Sequence, residues 1–578
     1  ILAQEHIVSQ KPPREMHCGT FGVVGFAAIG GILFGLDQGN WGGAIVREGF
    51  VEAFCRQTES GESCQNAQFL PPDYASFLSW GSALLQLGAA VGALAGGPLI
   101  AGRFGRREAM FVGSVITIIG CLPQALSTDI TYFLIARFVA GIGVGLVMYA
   151  LPMFISEIVP AELRGALGSS MQLMMVVGTL IASVLNYQPW FAYNYSFAIP
   201  ALPAALLASG IFFLPVSPRF ALIDGIRRRL PDGGDERAWK SLRVLRGSDA
   251  AADAELNDLR ASLQNEEIDA SWSTLWREPS VLRRVFVAHA LQWLQQFTGV
   301  NAILMYGPAI FYSAGVPLSP LACAIVISAS NLASTFLMML MIDRYGRRTL
   351  LLAGAGAMFL CLCVAGWLAH AIRTWASSNT ALGWGLLVCV SLYMIAFAIS
   401  WGAVPWIYPS EIFPMSIKEK AMSTSVCSQW LANFVIAFIV PLQVKYMGDS
   451  GTFTFYYICC GVAFLFVWVA IPETKGLRLE EMTDLFGELP EVLVSAEGME
   501  GSMKHVGMAG SMSSSCSFTT AFRQMEKSAS VPASGHNGSS SAASMRRLLS
   551  DGGAPSGLPM PVVRSRICMA PGGHVALY

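Results

Sequence analysis

Three glutamines, Gln292, Gln295 and Gln296, stand at i, i+3 and i+4 inside a run from 285 to 342 that holds no Asp, Glu, Lys or Arg. On a helix they share one face. An amide in an apolar setting costs free energy unless it is hydrogen-bonded, and it offers donors and acceptors without charge. That combination suits the hydroxyls of a neutral polyol or sugar. Asn301 lies about 120° around from Gln295 on a regular helix of 3.6 residues per turn. It joins the set only if the helix unwinds near Gly299.

A second chemistry is carried by Asp37, in FGLDQG inside an apolar stretch from 20 to 40. Within a bilayer an ionised carboxylate costs about 2.5 to 3.5 kcal/mol even on the lenient insertion scale, so it needs a reason to be there. Arg137 is its natural partner. It is the one basic residue of the stretch 131 to 155, and Gly141, Gly143 and Gly145 after it allow close helix approach. A hydrated carboxylate and a static ion pair both remain open beside a proton-exchanging pair.

A third pattern is repeated. GRFGRR at 102 to 107 is echoed by DRYGRR at 343 to 348. Glu157, Pro160 and Arg164 are echoed by Glu411, Pro414 and Lys418, and PVSPR at 215 to 219 by PETKG at 472 to 476. One six-helix unit has been used twice. A single basic loop means no more than topology. Three paired motifs in register suggest a gate, in which Arg103, Arg106, Arg107, Arg344, Arg347 and Arg348 make forked bonds to Glu157 or Glu411 in one state and release them in another.

The elements that must position these residues are membrane spans. Of 578 residues 54% are apolar and only 13% charged, against about a quarter charged in soluble proteins. The chain has too little polar side chain to cover a water-exposed surface. A net charge of -1 gives no argument for nucleic acid as a partner. Charge-free runs at 110 to 128, 166 to 218, 285 to 342, 374 to 410, 421 to 444 and 451 to 472 are long enough for one or two spans of roughly 20 residues each. Divided at their Pro, Asn and Tyr clusters, they and the stretches beside them predict twelve spans: 20 to 40, 75 to 101, 109 to 127, 131 to 155, 166 to 187, 196 to 215, 283 to 312, 318 to 342, 349 to 373, 384 to 409, 420 to 443 and 452 to 472.

Lys11, Arg14, Arg103, Arg106, Arg107, Arg164, Arg344, Arg347, Arg348, Lys418 and Lys420 all fall on one side of that topology, which is expected to be cytoplasmic along with both termini. The first apolar stretch reads as a retained span, not a cleavable leader. The expected organisation is a cytoplasmic N-terminus (1 to 19), a six-helix bundle (20 to 218), a cytoplasmic linker with short helices (219 to 280), a second six-helix bundle (281 to 475) and a cytoplasmic tail (476 to 578). Ser, Gly, Ala and Met dominate that tail from about 487, which reads as disorder with no legible partner.

Cys55 and Cys64 share the long outer loop, where oxidation is allowed, and a disulfide or two free thiols both remain open. Asn194-Tyr195-Ser196 forms a glycosylation sequon in an outer loop too short for use, and that at Asn537 lies on the wrong side. Metal-ligand clusters, nucleophile triads and phosphate loops are not visible, so an enzyme, a cofactor and a metal are not expected.

Over about residues 18 to 480 the chain resembles the sugar porters of the major facilitator superfamily, through GGILFGLDQG, GRFGRR, RFVAGIGVG, PVSPR, QQFTGVN, DRYGRR, GAVPWIYPSEIFP and PETKG. The resemblance implies an all-α membrane fold of two pseudo-symmetric six-helix bundles, with substrate near the bilayer midplane. It implies sugar contacts at Gln295, Gln296 and Asn301, and at Gln172 and Asn331, for which hydrogen bonding between helices is an equally good account. Trp406, after the Gly402 to Pro405 break, is placed to lie under a sugar ring, and Gln292 and Gln429 join the candidate set, Gln429 standing where the family has Asn.

The resemblance also implies that Asp343 belongs to the gate. The chain departs from the family at Gly102 for Asp, Val216 for Glu and Lys418 for Arg, which weakens the N-terminal gate relative to the C-terminal one. Asp at position 37 is the residue of proton-coupled members, where uniporting relatives commonly carry Asn. The expected function is therefore symport of a monosaccharide, a hexose first, with a proton, in the plasma membrane. A facilitative sugar uniporter and a sugar sensor signalling through the tail are the alternatives.

Overall fold

The computed structural model describes residues 18–58, 72–160, 167–264, 271–313, 316, 318–375, 380–475 and 485–486. Cys64, Arg164, Asn537, the side chain of Asp343 and the chain from 487 onward lie outside the described residues. The described residues are helical and contain no strand. This is what a bilayer demands of backbone groups that water cannot reach.

Ten continuous helices are long and apolar enough to cross a membrane. They become twelve spans for two physical reasons. The last helix, Met415–Ala470, contains two spans joined through Gly448, whose φ of 69° turns the chain. The seventh span is missing from the ten because it is cut into Pro279–Phe297 and Val300–Ser313 by Gly299, at φ 94°. Only glycine adopts that backbone without strain.

The spans are α1 (Cys18–Ala44), α2 (Asp73–Ala101), α3 (Arg106–Leu126), α4 (Ile130–Ile158), α5 (Ser170–Tyr187), α6 (Tyr193–Phe213), α7 (the two helices around Gly299), α8 (Pro320–Tyr345), α9 (Arg347–Trp375), α10 (Thr380–Ile412), α11 (415–447) and α12 (449–470). α10 is itself interrupted between Ile399 and Val404.

Small residues bring the spans together. A Cβ on Gly141 would lie 2.1 Å from the carbonyl oxygen of Leu85, and one on Gly145 2.0 Å from that of Ala89, so α4 rests directly on α2. α1 packs against α5 in the same bundle. The two bundles, α1 to α6 and α7 to α12, meet along α2 with α11, α5 with α8 and α1 with the second half of α7.

Between the bundles the helices Pro218–Arg227, Asp235–Arg246 and Asp249–Gln264 form a small layer around Ala221, Leu222, Ala238, Leu242, Ala252 and Leu256. Asp235 and Glu236 open the middle helix, Arg243 and Arg246 close it, and Gly247 ends it in the left-handed region, each suiting the helix dipole or cap. The layer is tied to the first bundle. Thr20 donates to the carbonyl of Leu245 at 2.6 Å, Arg246 to that of Ile158 at 3.1 Å and Arg227 to that of Gly102 at 2.7 Å.

Candidate functional site

Asp37 and Arg137 meet as the spacing of their motifs suggests. The carboxylate Oδ1 lies 3.0 Å from Nη1 of Arg137, and Arg137 Nε donates to the carbonyl of Gly81 at 2.8 Å. Arg137 is fully buried and Asp37 is 5% exposed. The guanidinium also lies over the ring of Trp41, 4.7 Å from its centroid, a favourable place for a desolvated cation. On the short helix Glu48–Thr58, Phe50 packs edge-on against Trp41, and Phe50 and Phe54 join a cluster with Phe77, Phe133 and Phe197. Cys55, on that helix, is disulfide-bonded.

One residue on, Gln38 turns to a different partner. It lines a cavity of about 550 Å³ between the bundles and donates to Oδ1 of Asn301 at 2.6 Å. Asn301 in turn donates to Oε1 of Gln296. The Gly299 break thus brings Asn301 beside the glutamine face. Gln172, Gln295, Gln296, Asn301, Asn331, Trp406 and Gln429 line this cavity together with Phe34, Trp430 and Asn433.

Gln292 and Gln295 serve the break in α10. Gln292 donates to the carbonyl of Pro405 at 2.9 Å, and Gln295 to those of Trp401 at 2.7 Å and Gly402 at 3.2 Å. Gln292 is fully buried and is absent from the cavity lining. Gln429 donates to Oε1 of Gln295 at 2.6 Å. Around the cavity Gln38 Oε1, Gln172 Oε1, Asn331 Oδ1, Gln429 Oε1, Asn433 Oδ1 and Trp430 Nε1 are buried atoms with no protein partner. Polar atoms so placed are suited to a ligand that presents several hydroxyls.

The bundles touch on both sides of this cavity. On the side of Phe50, the hydroxyls of Ser82 and Tyr306 are 2.8 Å apart and Ser82 donates to the carbonyl of Ala437 at 3.0 Å. At the basic end, Tyr149 donates to the carbonyl of Glu419 at 3.2 Å and Ser423 to that of Ala93 at 3.0 Å.

The repeated motifs lie at that basic end as near copies. Arg106 Nη2 lies 3.0 Å from Glu157 and Arg347 Nη2 2.7 Å from Glu411. Each arginine also donates through Nη1 to a carbonyl five residues back, Ala101 at 3.2 Å and Ile342 at 3.3 Å. The other arginines point elsewhere. Arg107 binds Glu108 at 2.8 Å and the carbonyl of Leu214, and Arg348 binds the carbonyl of Trp468. Arg103 and Arg344 are exposed, Arg103 beside the ring of Phe104.

Sequence reasoning missed Gln38, Asn433, Glu419 and Glu473. Gln38 adjoins Asp37 in an apolar span, which was signal enough to include it. Asn433 lies one turn after Gln429 and donates to Gln86 at 3.1 Å. Glu473, in PETKG, accepts from the backbone N–H groups of Arg347 and Arg348 at 2.8 and 3.1 Å, capping the start of α9. Glu419 stands 2.9 Å from Arg106 across the bundles, and nothing local in KEK announces it.

Residues 23–486 match the family described as Sugar (and other) transporter. The chain is 33% identical over 482 residues to a probable glucose transporter, rco-3, of Neurospora crassa, covering 80% of this chain and 78% of that one. It is 30% identical over 467 residues to Sugar transport protein 10 of Arabidopsis thaliana, covering 79% and 88%. Among solved structures it is similar to the proton:xylose symporter XylE of E. coli bound to 6-bromo-6-deoxy-D-glucose, with a TM-score of 0.65, 28% identity, and coverage of 81% of this chain and 99% of that chain.

Proposed function

The chain belongs to the sugar (and other) transporter family of the major facilitator superfamily, and on that premise we propose that it carries a monosaccharide, a hexose first, together with a proton by alternating access. The observation that carries this reading is the adjacency of Asp37 and Gln38 on α1. Asp37 is paired with Arg137, and Gln38 is bonded to Asn301 on the wall of the cavity. A shift of α1 that follows sugar binding acts on the ion pair within one residue of the sugar site.

The roles follow from the geometry. Gln38, Gln172, Gln296, Asn301, Asn331 and Gln429 hydrogen-bond the sugar, and Trp406 and Trp430 face its ring. Gln292 and Gln295 hold the break of α10 at the edge of that site. Asp37 takes the proton when its pair with Arg137 loosens, and the neutral acid no longer needs the guanidinium. Arg106 with Glu157 and Arg347 with Glu411 brace each bundle at the basic end, which faces the cytoplasm by the positive-inside rule, with both termini on that side. The plasma membrane is the proposed location, residues 20–218 and 281–475 are the two moving bodies, and Cys64 is the proposed partner of Cys55.

Contacts between the bundles lie on both sides of the cavity, as a site reached by alternating access requires. Uptake of a panel of labelled hexoses, pentoses and polyols into proteoliposomes, with and without an imposed pH gradient, tests the reading. Accumulation of one or more hexoses driven by an inward proton gradient is the expected result. Equilibration without accumulation replaces the symporter with a uniporter, and no flux of any of these compounds ends the transport reading.

A further inference from the structure

The two gate loops are copies of one sequence, yet their acids stand in different places. The second copy has Asp343 at the head of DRYGRR and Glu473 in PETKG; the first has Gly102 and Val216 at those positions. The first bundle has therefore lost two carboxylates from its own gate. One arrives from the other bundle. Glu419, on α11, places Oε1 2.9 Å from Nη1 of Arg106, while Glu157 holds Nη2 at 3.0 Å.

An ion pair within one bundle survives when the bundles part, whereas one between bundles does not. Arg106 with Glu419 is of the second kind, and its surroundings reinforce it. The same stretch of α11 is fastened to the first bundle by Tyr149, which donates to the carbonyl of Glu419, and by Ser423, which donates to that of Ala93. Arg106 is 6% exposed and Glu419 25%, so the pair is partly shielded from water.

Gly102 makes room for Glu419. A Cβ at 102 would lie 3.3 Å from Oε1 of Glu419 and 3.4 Å from its Cδ. The backbone of Gly102, at φ -71° and ψ -29°, is ordinary helix, so glycine is not required there by conformation. An aspartate at 102 would set a second carboxylate against the first.

We propose that Glu419 is a positioning residue that holds Arg106 across the two bundles and sets how readily the basic end opens, and that Gly102 is its complement, the gate acid having moved from the loop between α2 and α3 onto α11. The inference rests on the alternating-access reading given above. Its consequence is that removing the charge at 419 opens the basic end, adding an aspartate at 102 disturbs the gate while Glu419 is present, and the two changes together return an acid to Arg106 only within the first bundle.

The test uses the full chain in proteoliposomes, with hydrogen–deuterium exchange of residues 93–108 and 415–425 as the readout of opening and hexose exchange as the readout of turnover. Glu419→Gln, which keeps the shape of the side chain, should raise amide exchange in both segments several-fold, the scale of one partly shielded ion pair. Gly102→Asp should also raise it. The double variant Gly102→Asp with Glu419→Gln returns an acid to Arg106 only within the first bundle, so it should stay as open as Glu419→Gln, which separates a tie between the bundles from a mere need for negative charge beside Arg106.

Parent-like protection in Glu419→Gln, or a double variant restored to parent-like protection, overturns the proposal. A parent protein that moves no sugar while the exchange pattern holds refutes the transport reading and leaves the Glu419 pairing standing.

Discussion

Gln295 donates to the carbonyl of Trp401 across 2.7 Å, so an amide from α7 satisfies the backbone that α10 leaves open where it breaks. Gln292 does the same for Pro405, and Gln429 holds Gln295 from the other side. The α7 amides therefore divide their work. Gln292 and Gln295 brace α10, Gln295 and Gln296 line the cavity, and Asn301 after the break joins that lining to Gln38 on α1.

Asn301→Ala should weaken hexose binding by about 1 to 3 kcal/mol, because a buried hydroxyl loses its partner and Gln38 is left without its acceptor. Gln295→Ala should weaken binding by a similar amount and slow turnover as well, since the carbonyls of Trp401 and Gly402 lose their donor. Titration calorimetry and counterflow measured on the same preparations separate the two effects. Unchanged affinity in Asn301→Ala removes that residue from the site.

Gly299→Ala should lower the apparent melting temperature in detergent and depress transport. At φ 94° an alanine is strained by about 1 kcal/mol or more, and its Cβ would lie 2.6 Å from Cγ of Tyr456. An unaltered melting curve with full transport would show that the α7 break does not depend on this glycine.

The gate should act on rate more than on affinity. Arg347→Ala or Glu411→Ala removes a 2.7 Å pair that touches no part of the cavity, so it changes the balance of inward and outward forms. Hexose exchange should slow several-fold more than binding weakens. Wild-type turnover in both variants would count against a gate at this end.

Much of this was legible in the sequence because a bilayer constrains length and polarity so tightly. Twelve spans could be placed from charge-free runs, and Gly299 could be marked as a break because Asn301 stood on the wrong face of a regular helix. The pairing of Asp37 with Arg137 followed from the cost of isolated charge in apolar surroundings. Other relationships were hidden because they depend on which side chains meet across bundles. Gln172, Asn331 and Asn433 look alike as lone amides, yet only Asn433 is bonded to Gln86. Glu419 sits among lysines in KEK, where a solvated charge run is the natural reading. Arg103 and Arg107 share a motif with Arg106 but point away from Glu157, since successive helix positions face different sides.

The sharpest prediction concerns Asp37. Its carboxylate is 5% exposed and bound to Arg137, which lies over Trp41, so a proton must reach it by a change in the packing around α1. In this form the ion pair holds the charge. On the proposed coupling, sugar that takes the place of the contact between Gln38 and Asn301 shifts the adjacent Asp37 relative to Arg137, and protonation removes the cost of a separated charge. One charge moving through about 100 mV supplies about 2.3 kcal/mol, enough for a sugar gradient of the order of 50-fold. Accumulation should therefore rise as the outer pH falls, because the outward-facing carboxylate is loaded more often, and it should collapse when a protonophore removes the gradient. Asp37→Asn keeps the shape of the side chain but holds it permanently neutral. In proteoliposomes this variant should still exchange labelled hexose for unlabelled hexose, while proton-driven accumulation disappears and the rate no longer follows outer pH. Arg137→Ala offers the complementary case, a carboxylate without its counter-ion, and should also lose coupling. Persistent accumulation in Asp37→Asn would remove Asp37 from the proton path, and pH-independent uptake without accumulation by the unmodified protein would leave a uniporter in which the pair is a structural tie between α1 and α4.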